Sequence, residues 1–169
     1  FDVRVNPGGR LQELIPMLDM LLPEGRIFTS RDKDGKEENY DSDKNELTLP
    51  MAVVVNQYSY SAAEFFAAAL QEYGKAKVVG QATTGKGYAQ VPIELENGGA
   101  LVLSVTEYFT PKGKSLADTG ITPDYVEPMT DEELASFPSI PLDRDKQLSR
   151  AVSVVKELAA QQAQQKAAG

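Results

Sequence analysis

Ser61 stands between an apolar run, Met51-Ala-Val-Val-Val55, and an alanine-rich stretch from Ala62 to Leu70. A serine at such a strand-to-helix corner exposes its hydroxyl. The amide of the next residue, Ala62, then points out of the helix N-terminus, where it can stabilise negative charge developing on an oxygen. That equipment suits attack on a carbonyl carbon, provided that a base takes the hydroxyl proton. The chain has no histidine and no cysteine, which removes the Ser-His-Asp triad, thiolate catalysis and the usual zinc sites. The proton acceptor must then be Lys, Asp, Glu or Tyr.

Lys86 is a candidate, in the Ser-Lys variant of the same logic. It would have to lose its proton near neutral pH, and burial against apolar groups lowers a lysine pKa by up to ~3–5 units. Gly85 and Gly87 on either side allow close backbone approach, which would help to exclude water. Gln90 lies four residues on and shares a face with Lys86 if the segment is extended, so its amide could orient the amine.

Other readings compete for the same residues. Ser61-Ala-Ala-Glu64 fits a capping box, in which serine and glutamate only satisfy backbone donors at a helix start. Gly80-Gln-Ala-Thr-Thr-Gly-Lys-Gly87 is one residue from a phosphate-binding loop, with glycine where the magnesium-binding hydroxyl belongs. A phosphate loop needs a helix directly after its lysine, and Tyr88 to Leu95 keep no helical stripe and contain Pro92. The nucleotide reading fails on context. The acidic stretches Asp32 to Gly35 and Asp41 to Glu46 lack the glycine and glutamate positions of a calcium loop, so they read as a solvated hairpin and loop. No cofactor or metal is expected. A net charge of -8 repels phosphate backbones and makes nucleic acid an unsuitable partner.

The elements that must position these residues follow from pattern. Phe1, Val3 and Val5 alternate with polar residues as in a strand, and Asn6-Pro7-Gly8-Gly9 ends it with a turn. Leu11 to Leu22 keep helical spacing until Pro23. A hairpin turns at Asp34-Gly35, and a buried strand covers Met51–Asn56. A helix runs from Ser61 to Gly74, and the next strand covers Lys75–Gly80. Two strands join at Asn97-Gly98-Gly99. A short helix opens at Asp131 after Thr130. The last helix presents Leu148, Val152, Val155 and Leu158 on one side, and its tail from Ala159 has nothing to bury and should fray. The order predicts α/β layers, with a core over 1–128 and a helical extension over 129–169 packed on it.

Several blocks, in order, resemble the C-terminal processing peptidases, or tail-specific proteases. The stretch from Asn56 to Gln90 is similar to that family's N-x-x-S-A-S-A-S-E-I-x-A-x-A-L-Q-D followed by V-G-x-x-T-F-G-K-G-x-x-Q. Phe1 to Glu13 is similar to its D-L-R-N-N-P-G-G-L, and Gly98 to Asp124 to its later G-I-x-P-D block. The family's serine, lysine and glutamine fall on Ser61, Lys86 and Gln90, at intervals of 25 and 4 residues. Val5, Tyr60, Ala63 and Thr84 depart from the pattern.

The resemblance implies a partial ClpP/crotonase-like fold of stacked β-β-α units with a C-terminal helix. It implies serine endopeptidase activity near the C-termini of protein substrates. The oxyanion donors expected are the Ala62 amide and an amide of the Gly8-Gly9 pair, with Gly9 preferred. A substrate-recognising PDZ domain is expected in the parent protein and not within this chain, which reads as a piece of a longer one. A location outside the cytoplasm and possible homo-oligomers are also implied. The alternative is a non-catalytic fragment or scaffold, in which Ser61 and Lys86 stand apart in space.

Overall fold

The computed structural model describes residues 1–168, and alternation along one strand sets its layers. The run Met51–Val55 forms β3, buried along its whole length. A strand without a polar face must be covered on both sides. Met51, Val53 and Val55 share a core with Leu14 and Leu18 of α1 (Leu11–Asp19) and with Phe65, Phe66 and Leu70 of α2 (Ala62–Glu72). Ala52 and Val54 share a separate cluster with Ala151 and Val154 of α4 (Lys146–Ala168). Each fully buried Leu, Val or Phe contributes about 1.5–3 kcal/mol to this sandwich. Two further strands, β4 (Ala76–Gly80) and β7 (Tyr125–Val126), extend the sheet in parallel, in the order β3-β4-β7. Asp124 accepts the Val78 amide at 2.8 Å and the Gln71 side chain at 3.1 Å, so it serves the sheet and not a reaction.

A second, antiparallel sheet has the order β2-β1-β6-β5, built from β1 (Gly25–Asp32), β2 (Glu37–Ser42), β5 (Tyr88–Glu94) and β6 (Ala100–Phe109). The hairpin at Asp34-Gly35 forms as expected, the Gly35 amide donating to the Asp32 carbonyl at 3.1 Å. Phe28 and Tyr108 of this sheet meet Phe65 of α2 at centroid separations of 6.4 and 5.8 Å. Those rings fasten the second sheet to the helix that begins beside Ser61. A short α3 (Asp131–Ser136) carries a capping box, Glu133 donating its amide to the Thr130 hydroxyl at 3.2 Å.

The structure corrects four expectations. Phe1 to Val5 form no regular strand: Asp2 makes one parallel bridge to Val54, and the chain turns away at Val5, where φ is 53°. Helix α1 stops at Asp19, and the amides of Leu21 and Leu22 both close onto the Leu18 carbonyl while their side chains stay buried. The C-terminal tail continues as helix to Ala168, and Gln162 donates to the Thr48 carbonyl at 3.0 Å; Gly169 lies outside the described residues. The inward face of α4 is Ala151, Val154, Val155 and Leu158, with Val152 turned outward.

Candidate active site

The buried strand β3 ends at Val55, and α2 begins after six intervening residues. Within that connection Ser61 adopts φ 59° and ψ −128°. This conformation is strained for a residue with a Cβ and costs of order 1–3 kcal/mol. It persists because the flanking backbone is held from several sides. The Tyr60 amide donates to the Asn6 carbonyl at 3.1 Å, and the Ser61 amide donates to Glu64 at 2.8 Å. Ser61 and Glu64 are arranged as a capping box, but the Ser61 hydroxyl makes no full cap hydrogen bond; the Glu64 amide donates to the Ser61 carbonyl at 2.8 Å. The sequence left cap and nucleophile open. Here the backbone does the capping and the hydroxyl is left over.

Glu64 does far more than cap. It is the one charged residue between Ala62 and Leu70, and it is wholly buried. One carboxylate oxygen accepts the Thr83 hydroxyl at 2.5 Å and the Gly85 amide at 2.7 Å. The other accepts the amides of Ser61 at 2.8 Å and Lys86 at 2.9 Å. Four donors, together with the N-terminus of α2, offset the cost of burying the charge. One side chain therefore fixes the serine corner to the lysine loop, 25 residues apart in sequence. A charged residue inside an otherwise apolar helix stretch was the available signal, and the capping-box spacing disguised it.

The lysine loop runs into β5, not into a helix, so the phosphate-loop geometry is not built. Gly85 has φ 89°, and a Cβ there would fall 2.8 Å from the Thr119 amide nitrogen and 3.0 Å from the Leu116 carbonyl oxygen. Glycine is required by this backbone-to-backbone approach. Lys86 itself is half-buried, less enclosed than the sequence reading supposed. Its Nζ lies 5.6 Å from the centroid of the Tyr60 ring, a cation–π separation. Tyr60 is one of the departures from the family pattern, and this is what it touches.

Ser61, Lys86 and Gln90 line a single cavity of about 460 Å³, together with Gly9, Tyr88 and Tyr108. Among the described residues, no hydrogen bond joins Ser61 to Lys86 or Lys86 to Gln90, although the three line the same cavity. Burial pushes the Tyr108 phenol above its ordinary value, so it stays protonated and is no base near neutral pH.

The turn Asn6-Pro7-Gly8-Gly9 abuts the serine corner. Gly8 has φ 82°, and a Cβ there would lie 2.7 Å from the Ala62 nitrogen and 2.9 Å from the Ser61 Cβ. The Gly8 amide is occupied by the Asn6 side-chain oxygen at 2.8 Å. The amides of Gly9 and Ala62 have no acceptor among the described residues. A second cavity of about 550 Å³, lined by Val3, Leu14, Met17, Ala62 and Phe66, opens on the other side of Gly8 and Gly9. Among the described residues, the three non-glycine ones with positive φ are Val5, Ser61 and Asp118. Val5 lies on the segment leading to this turn, and Asp118 donates its amide to the Gly85 carbonyl at 2.9 Å. Strain is concentrated around this one site.

A family model described as peptidase family S41 matches residues 1–127. A carboxy-terminal-processing protease of Bartonella bacilliformis is 40% identical over 131 residues, covering 74% of this chain and 30% of the relative. A carboxyl-terminal-processing protease of a Synechocystis species is 36% identical over 155 residues, covering 91% of this chain and 36% of the relative. Among solved structures, a photosystem II D1 C-terminal processing protease superposes with a TM-score of 0.68 at 30% identity, over 75% of this chain and 33% of that one. The chain thus spans about a third of the length of these relatives. Its fold is the expected α/β, ClpP/crotonase-like class with a C-terminal helix. The chain belongs to peptidase family S41.

Proposed function

We propose that this chain forms the catalytic part of a serine endopeptidase that cuts protein substrates near their C-termini, with Ser61 as nucleophile and Lys86 as base. The observation that carries the reading is the strained Ser61, followed by the unpaired Ala62 amide and sharing one cavity with Gly9 and Lys86. The names of the relatives support the reaction class and the C-terminal site of action.

In the first step Ser61 Oγ bonds to the peptide carbonyl carbon while its proton passes to Lys86 Nζ. The carbonyl oxygen takes the negative charge and is met by the Ala62 and Gly9 amides. Collapse breaks the C–N bond, and Lys86 returns the proton to the leaving amine. Water, deprotonated by Lys86, then hydrolyses the ester by the same route. A positioned base supplies ~10²–10⁴-fold and one oxyanion donor ~10²–10³-fold. Because Lys86 sits over Tyr60 without a bond to Ser61, its side chain must swing toward Ser61 when substrate binds. Gln90, at the same cavity, then supports the amine.

Residues 1–128 act as the peptidase core and 129–169 as an extension docked on it. Substrates are protein tails, recognised with the help of a PDZ domain elsewhere in the parent protein, outside the cytoplasm. Homo-oligomers fit the same reading. Among the described residues, no helix is long and apolar enough to cross a membrane.

The test uses the full-length protein. Ser61→Ala and Lys86→Ala should each abolish peptide cleavage while the melting curve is retained, and a fluorophosphonate should label Ser61 alone. Retained cleavage in either variant, or label on another serine, overturns the assignment. Failure of the unmodified full-length protein to cleave peptides and to take up the label would favour the scaffold alternative.

A further inference from the structure

Arg4 is buried, and its guanidinium is held as much by residues from the far end of the chain as by its neighbour Asp2. Nη1 and Nη2 donate to the two carboxylate oxygens of Asp145 at 3.0 and 2.7 Å, and Nη1 also donates to Gln147 at 3.2 Å. Asp2 takes Nε and Nη2 at 3.0 and 2.7 Å. The Phe137 ring lies 4.8 Å from the guanidinium carbon. Asp145 has a second task, accepting the Leu148 amide at 2.9 Å at the start of α4. Residues 137, 145 and 147 all lie beyond the 1–127 span of the family match.

Next to Arg4 is Val5, a β-branched residue at φ 53°, a conformation that only an over-determined setting sustains. Asn56 helps, accepting the Val5 amide at 3.0 Å. Four residues after Val5 comes Gly9, which lines the Ser61 cavity and whose amide has no acceptor among the described residues. We infer that Asp145, with Phe137, is a positioning element for the reaction: it clamps Arg4, which keeps Val5 in its strained turn and so aims the Gly9 amide at the oxyanion. The C-terminal extension thereby completes the active site without touching substrate. The inference rests on the proposed Ser-Lys chemistry and on Gly9 as donor.

The experiment compares Asp145→Asn, Val5→Asn and the double variant in the full-length protein. Asparagine still caps α4 but presents one acceptor oxygen to Arg4 in place of a bidentate carboxylate. kcat should fall by about 10- to 100-fold, inside the ~10²–10³-fold limit for losing one oxyanion donor, with KM changed less than about twofold. Val5→Asn removes the need for the clamp, because asparagine accepts left-handed φ, so the double variant should recover most of the lost kcat. If Asp145→Asn does not fold, Phe137→Leu removes only the half-buried ring and should lower kcat by about two- to threefold, again reversed by Val5→Asn. An unchanged kcat in folded Asp145→Asn, or in Phe137→Leu where Asp145→Asn does not fold, overturns the inference, and so does a loss that Val5→Asn fails to relieve. Those results leave the Ser61→Ala and Lys86→Ala outcomes untouched, so the two ideas fail separately.

Discussion

Replacing Glu64 with glutamine should disconnect the serine corner from the lysine loop. The carboxylate accepts four hydrogen bonds, two on each oxygen. A glutamine amide has one oxygen and an NH₂, so half of that set meets a donor. With NH₂ on the side of Ser61 and Lys86, two backbone amides face it. With NH₂ on the other side, the Gly85 amide faces it, and the Thr83 hydroxyl already accepts from Ile121 at 2.9 Å. The second orientation is the better one and still orphans Gly85. It also weakens the two bonds to Ser61 and Lys86 from charge-assisted to neutral. With ~1–3 kcal/mol for a buried unsatisfied donor and ~1.5–3 for a bond to a charged group, the loss comes to about 3–5 kcal/mol. For a domain of this size, that lowers the melting midpoint by about 6–20 °C. A glutamate acting only as a helix cap would cost ~1 kcal/mol and leave catalysis alone. Turnover separates the two cases. A drift of about 1 Å between nucleophile and base costs ~10²-fold, so kcat should drop by about that factor at temperatures where the variant is folded. Denaturant unfolding, peptide turnover and the rate of fluorophosphonate labelling at Ser61 together make the assay. A Glu64→Gln protein within ~1 kcal/mol of the parent and with normal turnover would refute the four-bond argument.

Two other predictions concern the departures from the family pattern. The Tyr60 ring lies 5.6 Å from the Lys86 amine, a contact worth ~0.5–1 kcal/mol that would compete with the proposed approach of the amine to Ser61, so Tyr60→Ser should raise kcat at neutral pH by about 2- to 5-fold; equal or lower kcat in the folded variant counts against it. Val5→Asn, which relieves a left-handed residue at a cost of ~1–2 kcal/mol, should raise the melting midpoint by about 2–8 °C, and a fall would show that the valine side chain packs better than its backbone suggests.

Much of the fold was legible because it is local. Met51–Val55 has no polar face, so it had to be covered twice, and the Asp34-Gly35 turn names its own hairpin. The errors fell where tertiary contact overrides local pattern. The glutamine-rich tail lacks an apolar stripe, yet it extends a helix already nucleated by Ala151 and Val154 against β3, so few further contacts are needed. Val5 continues an alternating pattern but turns the chain instead, because Asn56 and the Arg4 cluster hold it there.

The same division runs through the candidate site. Ser61, Lys86 and Gln90 could be proposed from residue type and spacing, since each would have to carry its own chemistry. What aims them could not. Glu64 and Asp145 are both buried carboxylates that also sit at helix starts, and the capping task explains each of them fully in sequence. Only in three dimensions does each spend its remaining lone pairs elsewhere: Glu64 on the lysine loop, Asp145 on Arg4. A carboxylate offers about four acceptor positions and a helix start consumes one or two. When such a group is buried, the rest must find donors, and those donors belong to whatever the helix start is fastened to. In this chain they are the backbone amides of the lysine loop and the arginine that leads into the Gly8-Gly9 turn. Burial of a capping carboxylate is therefore itself a pointer to the parts that a site must hold in register.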